Sequence, residues 1–500
     1  MKKPRFPVII KYIFICALLA AGTGLLIWWQ PWVPRIWVGD VKINPHADID
    51  EDKNYTVTLW ESSAPLLGYQ EDREEKLAAV IAEFERSHPN IKINVQQIPL
   101  SDLESTLRDA LAAASPPDIV SMPERTLYIS PELQIPLELY LSDEEAGDLH
   151  PAAMKGASAH GHLWAFPRYI QPQLWAIRLD AWQALAGELP ENIRTSIFSS
   201  SQPEDKNSLP GFIPMEVWTE ILANSRTKQG SLGLAGNVYD PLFFAGILMA
   251  STGLSLVDED GRLQWPKEML VEAISHLRYW MEKKLMPNDL YAAARSRLGR
   301  FWNRQVLALT PLTPWLWHHL WQRSGIPSAS AAGGGSRQGR AGKVEEVMQI
   351  IAWTPPPHLS SAEGWLPVTV PGYAVFRQAP YKGDDHTRAT VAAAAYLSRQ
   401  MGLWEAIRIY GVPAHPSAVT DWLDGSNIPS QSLEALLDWT DKAARPAVDD
   451  AAVRTEQRLL GDRFIADLVK ALQGELTPAE FADRLHSASN TLAAVEVLAP

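Results

Sequence analysis

Cysteine is almost absent: the chain has 1 Cys in 500 residues, Cys16, inside an apolar stretch near the N-terminus. No intrachain disulfide can form, and the count carries no information about redox compartment. Positive charge is also scarce. Lys and Arg number 45 against 58 Asp and Glu, for a formal net charge of -13. The only charges before Arg35 are Lys2, Lys3, Arg5 and Lys11, so the rest of the chain is more acidic still. An acidic body repels phosphate backbones, which argues against a nucleic-acid partner.

The sequence motifs of common chemistries are missing too. Residues 333–343 look like a phosphate loop, but Arg337 stands where a Walker motif needs Gly and Val344 where it needs Ser or Thr. No glycine triplet follows a strand. There is no H-E-x-x-H; His318 and His319 are adjacent and cannot share a helical face, and His160 and His162 lack nearby companion ligands. A G-x-S-x-G elbow is absent. Nothing demands catalysis, a metal or a cofactor. No internal repeat is visible.

What is present describes an ordinary folded body. Hydrophobic residues make up 46% and charged residues 21%, which excludes general disorder. At this length at least two folding units are expected. Tryptophan is plentiful, with 20 copies; many must be core, but indole also suits flat apolar ligand faces.

The N-terminus has the features of an anchor. A basic tip (1–12) precedes an apolar run (13–30) near the length that crosses a bilayer, about 20 residues. Trp28, Trp29, Trp32 and Trp37 cluster at its end like an interfacial belt, and acidic residues follow. A cleavable signal is one alternative, but the apolar run continues past Ala20-Ala21-Gly22. A lipoprotein signal is another, but bulky residues rather than small ones precede Cys16. An uncleaved signal-anchor fits best, with the body on the extracytoplasmic side. Proline and acidic residues over 31–53 predict a stalk.

Beyond it the pattern alternates. Residues 55–60 read as a strand; Asp72 and Glu75 as a capping box opening a helix with Leu77, Val80, Ile81 and Phe84 on one face. Ile91, Ile93 and Val95 alternate as a second strand, Ser101 and Glu104 suggest another box, and 118–122 a third strand. This β-α-β-α-β order predicts a parallel sheet. Residues 162–179 suit a pass between lobes, Pro266 opens a helix, 328–342 read as a flexible insertion, and 344–353 and 368–376 read as strands. The pattern is helical from Thr387 onward, with a box at Thr477 and Glu480.

In open parallel sheets, ligands bind beyond the carboxyl ends of the strands. The first strand ends at Trp60-Glu61-Ser62-Ser63 and the third at Met122-Pro123-Glu124-Arg125. An aromatic face with hydroxyl, carboxylate and guanidinium groups is the mixture a sugar wants.

These landmarks resemble the maltose-binding-like extracellular solute-binding proteins of sugar ABC importers. Thr56-Val57-Thr58-Leu59-Trp60 is similar to their opening strand, and Phe84 to Ile93 to an F-x-x-x-x-P-x-I junction. Pro117-Asp118-Ile119-Val120 resembles their third strand, Trp164-Ala165-Phe166-Pro167 through Trp175-Ala176-Ile177 a crossover, Leu256 to Gly261 an L-x-D-x-D-G turn, and Thr310 to Trp315 a Pro-Trp segment. The resemblance implies a two-lobed α/β fold of the periplasmic-binding-protein type II. Its first lobe would be 55–165 plus 363–414 and its second 166–362 plus 415–500. It also implies a carbohydrate ligand and an ABC permease partner. Trp60, Glu61, Ser62, Glu124, Arg125, Tyr239, Phe244, Trp315, Gly372 and Tyr373 are the expected ligand contacts. Thr313-Pro314 in place of Gly-Pro, and the anchor itself, depart from the pattern. Two rivals stand beside it: a carbohydrate-active hydrolase or lyase in a Trp-lined cleft, and a tethered sensor using the same fold.

Overall fold

Hydrophobic alternation begins earlier than the stalk reading allows. Ile36 and Val38, then Val41 and Ile43, flank Gly39-Asp40, a hairpin pattern inside the segment expected to be solvated. The computed structural model describes residues 36–63, 69–122, 130–178, 182, 211–229, 233–235, 241–286, 306–312, 351–359, 362–409, 411–426, 430–444 and 450–496. The expected basic tip, anchor (13–30) and insertion (328–342) lie outside them. No helix among the described residues is long and apolar enough to cross a membrane.

Residues 36–53 are not a free stalk. β1 (Ile36–Val38) and β2 (Val41–Ile43) pair antiparallel around Gly39, whose φ of +58° favours glycine. Val38 and Ile43 are buried in the first hydrophobic core. Arg377 clasps the turn: Nε donates to the carbonyls of Val38 (3.0 Å) and Glu132 (2.9 Å), and Nη2 to Asp40 (2.6 Å). Asn44 N donates to Asp384 (3.1 Å), and Lys53 pairs with Asp385 (2.7 Å). Burial of two aliphatic side chains and a shared arginine outweigh the local preference of proline and acid for solvent.

The predicted β-α-β-α-β unit is present. β3 (Tyr55–Ser63), β4 (Ile91–Pro99) and β5 (Ile119–Met122) are parallel, joined by α1 (Tyr69–Ser87) and α2 (Leu100–Ala112). The helices start upstream of the expected boxes, so Asp72 and Ser101 fall within first turns, and α2 has no side-chain cap. Asp118, just before β5, accepts from Thr58 N and Oγ1 (2.8 Å each), His386 (2.9 Å) and Lys382 (3.1 Å), which ties β5 to β3.

Short helices α3 (Asp143–Gly147) and α4 (Pro151–Gly156) and the ribbon of β6 (Ser158–Ala159) and β7 (His162–Leu163) lead to the crossing. There β8 (Phe166–Pro167) stays in the first sheet, β9 (Tyr169–Pro172) enters a three-stranded sheet, and β10 (Leu174–Arg178) enters another sheet. The second lobe contains α5 (Met215–Gln229), β11 (Gly233–Ala235), α6 (Pro241–Thr252), α7 (Lys267–Glu282), β12 (Val306–Leu312) and β13 (Ile351–Thr354). Its strand order is β11-β12-β10-β13. Pro266 caps α7 as expected, and Leu270, Ile274 and Leu277 are buried on its inner face.

The chain returns through β14 (Val368–Thr369), which pairs with β9, and β15 (Gly372–Val375), which pairs with β5 and β8. The single strand expected over 368–376 is thus split between two sheets at Pro371. The first sheet has the order β4-β3-β5-β15-β8. The long helix α8 (Asp384–Ile409) packs against it, and β16 (Val412–Pro413) completes the hinge sheet on β9. Next come α9 (Val419–Gly425), α10 (Ser430–Thr440), α11 (Asp450–Leu459), α12 (Asp462–Gln473) and α13 (Pro478–Glu496). The box at Thr477 and Glu480 forms, with Glu480 N donating to Thr477 Oγ1 (3.2 Å).

Two main cores correspond to two lobes. Trp422, Leu433, Leu436 and Trp439 lie in the first, so α9 and α10 pack with the first lobe rather than with the second, where residues from 415 were expected. The chain enters the second core at Ala444. That passage runs beside the return: Ala444 N donates to Leu366 O (2.7 Å) and Leu366 N to Lys442 O (2.8 Å). Among the described residues three passes therefore connect the lobes, at β9, at β14 and at 442–444. Most tryptophans among these residues are structural: Trp175, Trp182, Trp218, Trp265 and Trp280 are buried in the second core.

Candidate functional site

Side chains alternate across a strand, and β3 divides its end residues accordingly. Val57 and Leu59 point into the first core, and Glu61 follows them. Trp60 falls on the other face, half-buried against a smaller cluster that includes Ile98, Leu103, Val120, Met122 and Ala374. Ser62 shares the parity of Trp60 and is half-buried. Trp60 and Ser62 are thus brought together at the carboxyl end of the parallel strands with partial access to solvent.

Glu61 is 0% exposed, and its carboxylate is fully engaged. Arg73 Nη2 of α1 donates to Oε1 at 2.9 Å, and Tyr373 Oη of β15 donates to Oε2 at 3.1 Å. Arg73 Nε also donates to Glu405 Oε1 of α8 (2.6 Å), and Arg168 Nη1 reaches the same oxygen at 2.9 Å. Arg168 lies between β8 and β9, where the chain leaves the first lobe, and its guanidinium stands over the Tyr373 ring at 5.2 Å. All five side chains are buried. Burial alone would raise the pKa of Glu61, but the guanidinium groups of Arg73 and Arg168 overcome it and hold the carboxyl below its ordinary value. Burial, reinforced by that carboxylate, pushes the Tyr373 hydroxyl well up, so it remains a donor.

Two glycines allow this assembly. A Cβ on Gly402 would stand 2.0 Å from the Arg168 carbonyl oxygen, so only glycine lets α8 lie on the crossing segment and deliver Glu405 to Arg168. A Cβ on Gly372 would meet Phe166 O at 2.7 Å and Ala165 Cβ at 2.9 Å. Gly372 is buried by close strand packing, and Glu61, Gly372 and Tyr373 are corrected from ligand contacts to a brace behind the rim. Phe244 is corrected also. It is buried in the second core with ring contacts to Phe464 (5.7 Å) and Phe481 (5.8 Å), and offers no face to a ligand. Glu124, Arg125, Tyr239 and Trp315 lie outside the described residues.

Sequence reading missed Arg73, Arg168 and Glu405. A signal existed for two of them. Arg73 precedes Leu77 by one helical turn on the apolar stripe of α1, and Glu405 sits between Met401 and Ile409 on that of α8. A charge on a buried stripe requires an opposite charge beside it. The lobes also touch directly: His160 N donates to Glu259 Oε2 (3.1 Å), joining the β6–β7 turn to the turn at 258–261. In that turn Asp258 Oδ1 accepts from Asp260 N and Arg262 N (3.0 and 2.8 Å), the local reason for the L-x-D-x-D-G pattern. A separate cavity of about 320 Å³ lies within the first lobe, along α8 and lined by Phe84, Tyr140, Arg388 and Tyr396, away from the strand-end rim.

No protein-family model matches the chain, and no curated protein matches it in sequence. Solved structures do match. The GacH receptor of Streptomyces glaucescens, determined unliganded and with acarbose, is 19% identical, with 88% of this chain and 99% of that one covered at a TM-score of 0.57. The sugar-binding protein MalE of Xanthomonas citri is 15% identical over 89% of this chain and 98% of its own, with a TM-score of 0.64. An ABC substrate-binding protein from Listeria monocytogenes, in complex with cycloalternan, is 16% identical over 89% and 100%, with a TM-score of 0.57. At such identities the likeness establishes the fold, which is the two-lobed α/β fold of extracellular solute-binding proteins.

Proposed function

We propose that the chain captures a carbohydrate between its lobes on the extracytoplasmic side of a membrane and delivers it to an ABC-type permease. The observation that carries this reading is the architecture. Separate hydrophobic cores meet at a short hinge, crossed three times among the described residues, in a fold whose solved examples include receptors holding acarbose and cycloalternan. Ligand would bias the hinge from open to closed, and the closed form would be the one the permease reads.

Trp60 and Ser62 supply the first-lobe side of the proposed site; Glu124, Arg125, Tyr239 and Trp315, the other contacts expected from the sequence, lie outside the described residues. Trp60 offers its indole to the C–H face of a sugar ring. Glu61, Arg73 and Tyr373 hold the strand end that presents it. The N-terminal signal-anchor would keep the body at the membrane as a single-pass protein.

Calorimetric titration of the full chain with maltose, linear and cyclic gluco-oligosaccharides and acarbose tests the reading. Binding without turnover is expected, with ligand recovered unchanged; released product would favour the hydrolase. Trp60→Ala should weaken binding about tenfold, the loss of roughly 1.4 kcal/mol of stacking, with circular dichroism showing that the variant remains folded. Unchanged affinity in both Trp60→Ala and Trp315→Ala would defeat the site, and a flat titration across the whole set would defeat the carbohydrate assignment.

A further inference from the structure

We propose that Glu216, Glu272 and His276 form a second-lobe site for a divalent transition ion of the zinc class. None of them belongs to the proposed sugar site. Glu272 and His276 stand one turn apart on α7 and so share a helical face. Glu216 comes from the first turn of α5, which is locked against α7 by Trp280 Nε1 donating to Thr219 Oγ1 (2.5 Å). One ligand atom from each of the three lies within 4.8 Å of the others.

Several observations point to a cation rather than to an ordinary ion pair. His276 Nε2 is 3.2 Å from Glu216 Oε1, close to the ~3.4 Å that separates donors on a tetrahedral ion with bonds of ~2.1 Å. Glu216 Oε2 is buried and has no hydrogen-bond partner among the described residues, so one carboxylate oxygen is left out of the pairing. The His276 side chain is 21% exposed and that of Glu216 46%, which leaves an approach for an ion. A divalent ion takes both carboxylates and the imidazole in its neutral form as donors and leaves a coordination position for water. Imidazole among the donors favours zinc-class ions over Ca²⁺ or Mg²⁺, which prefer oxygen alone. Bound there, the ion would staple α5 to α7.

The test is titration of the full chain in detergent, after chelator treatment, with Zn²⁺ by calorimetry and with Co²⁺ by visible absorption. One equivalent of saturable binding, a cobalt ligand-field band and a raised unfolding temperature with Zn²⁺ are expected. His276→Ala and Glu272→Gln should each weaken Zn²⁺ at least tenfold and abolish the band. Circular dichroism is the check that both are folded, and the Gln variant, near in shape to Glu, covers failure of the first. Undiminished Zn²⁺ binding in both variants, absence of saturable binding in the parent, or Ca²⁺ binding as tightly as Zn²⁺ would overturn the proposal.

Discussion

Replacing Glu405 by Gln removes one charge from a group of four buried ionic side chains, Glu61, Arg73, Arg168 and Glu405, whose formal charges sum to zero. Glu405 Oε1 accepts from Arg73 at 2.6 Å and from Arg168 at 2.9 Å, so a single oxygen serves both guanidinium groups. In the variant Arg73 keeps Glu61, but Arg168 has no carboxylate among the described residues within ion-pair distance. Breaking a buried pair by removing one partner costs about 3–5 kcal/mol, whereas an exposed pair is worth about 0–1. Gln retains an acceptor oxygen, which places the expected loss near the lower figure. Urea unfolding is the assay; with a slope of ~2–3 kcal/mol/M the first-lobe midpoint should fall by about 1 M or more. The paired change Arg168→Met with Glu405→Leu restores neutrality with apolar groups and should recover most of the loss. A Glu405→Gln loss under about 1 kcal/mol, or no recovery in the double variant, would refute the view that these charges form one interdependent brace.

Asp118 should make the first lobe acid-sensitive. Burial would raise its pKa, but hydrogen bonds from His386 and Thr58 and the charge of Lys382 hold it at about 2, below the ordinary 3.8. A depressed carboxyl contributes stability above its unfolded pKa and loses it as pH falls through its folded one. About 2 kcal/mol should therefore disappear between roughly pH 4 and pH 2, and Asp118→Asn should lose a similar amount at neutral pH and flatten that slope in urea midpoints. Arg377→Ala should free the β1–β2 hairpin from the lobe. Limited proteolysis within 36–53 is expected to accelerate several-fold while the unfolding midpoint of the remainder changes little; unchanged cleavage would show that burial of Val38 and Ile43 suffices.

The architecture was readable in the sequence because its signals are local and repeated. Tyr55, Val57 and Leu59 alternate, as do Ile91 and Ile93, and helical stripes with Pro89-Asn90 and Pro116-Pro117 as stops lie between strands. Neither boundary misreading disturbed that order. The helices outran their expected caps because tertiary packing extends a helix past a favourable cap residue. The hairpin at 36–43 was missed because its Pro and Asp content suggested solvation, whereas the arginine that fixes it is some 340 positions away in sequence.

The site was less readable, and the reason is parity. A loop-end Glu suggests a polar contact, yet the same alternation that buries Val57 and Leu59 must send Glu61 inward. A carboxylate sent inward requires a cation, and Arg73 on the apolar stripe of α1 requires an anion; each predicts the other once the stripe and the strand are superposed. Trp60, of opposite parity, is then the residue of the pair left to face outward. The placement of Arg168 could not be read in this way, because it depends on Gly402 letting α8 cross the backbone of the hinge segment. Substituting Gly402 by Ala therefore tests whether brace and hinge are coupled. A Cβ there must displace the Arg168 carbonyl, so affinity at the proposed sugar site and the Glu405–Arg168 contact should fail together. A Gly402→Ala chain with full affinity and native stability would separate the brace from lobe closure.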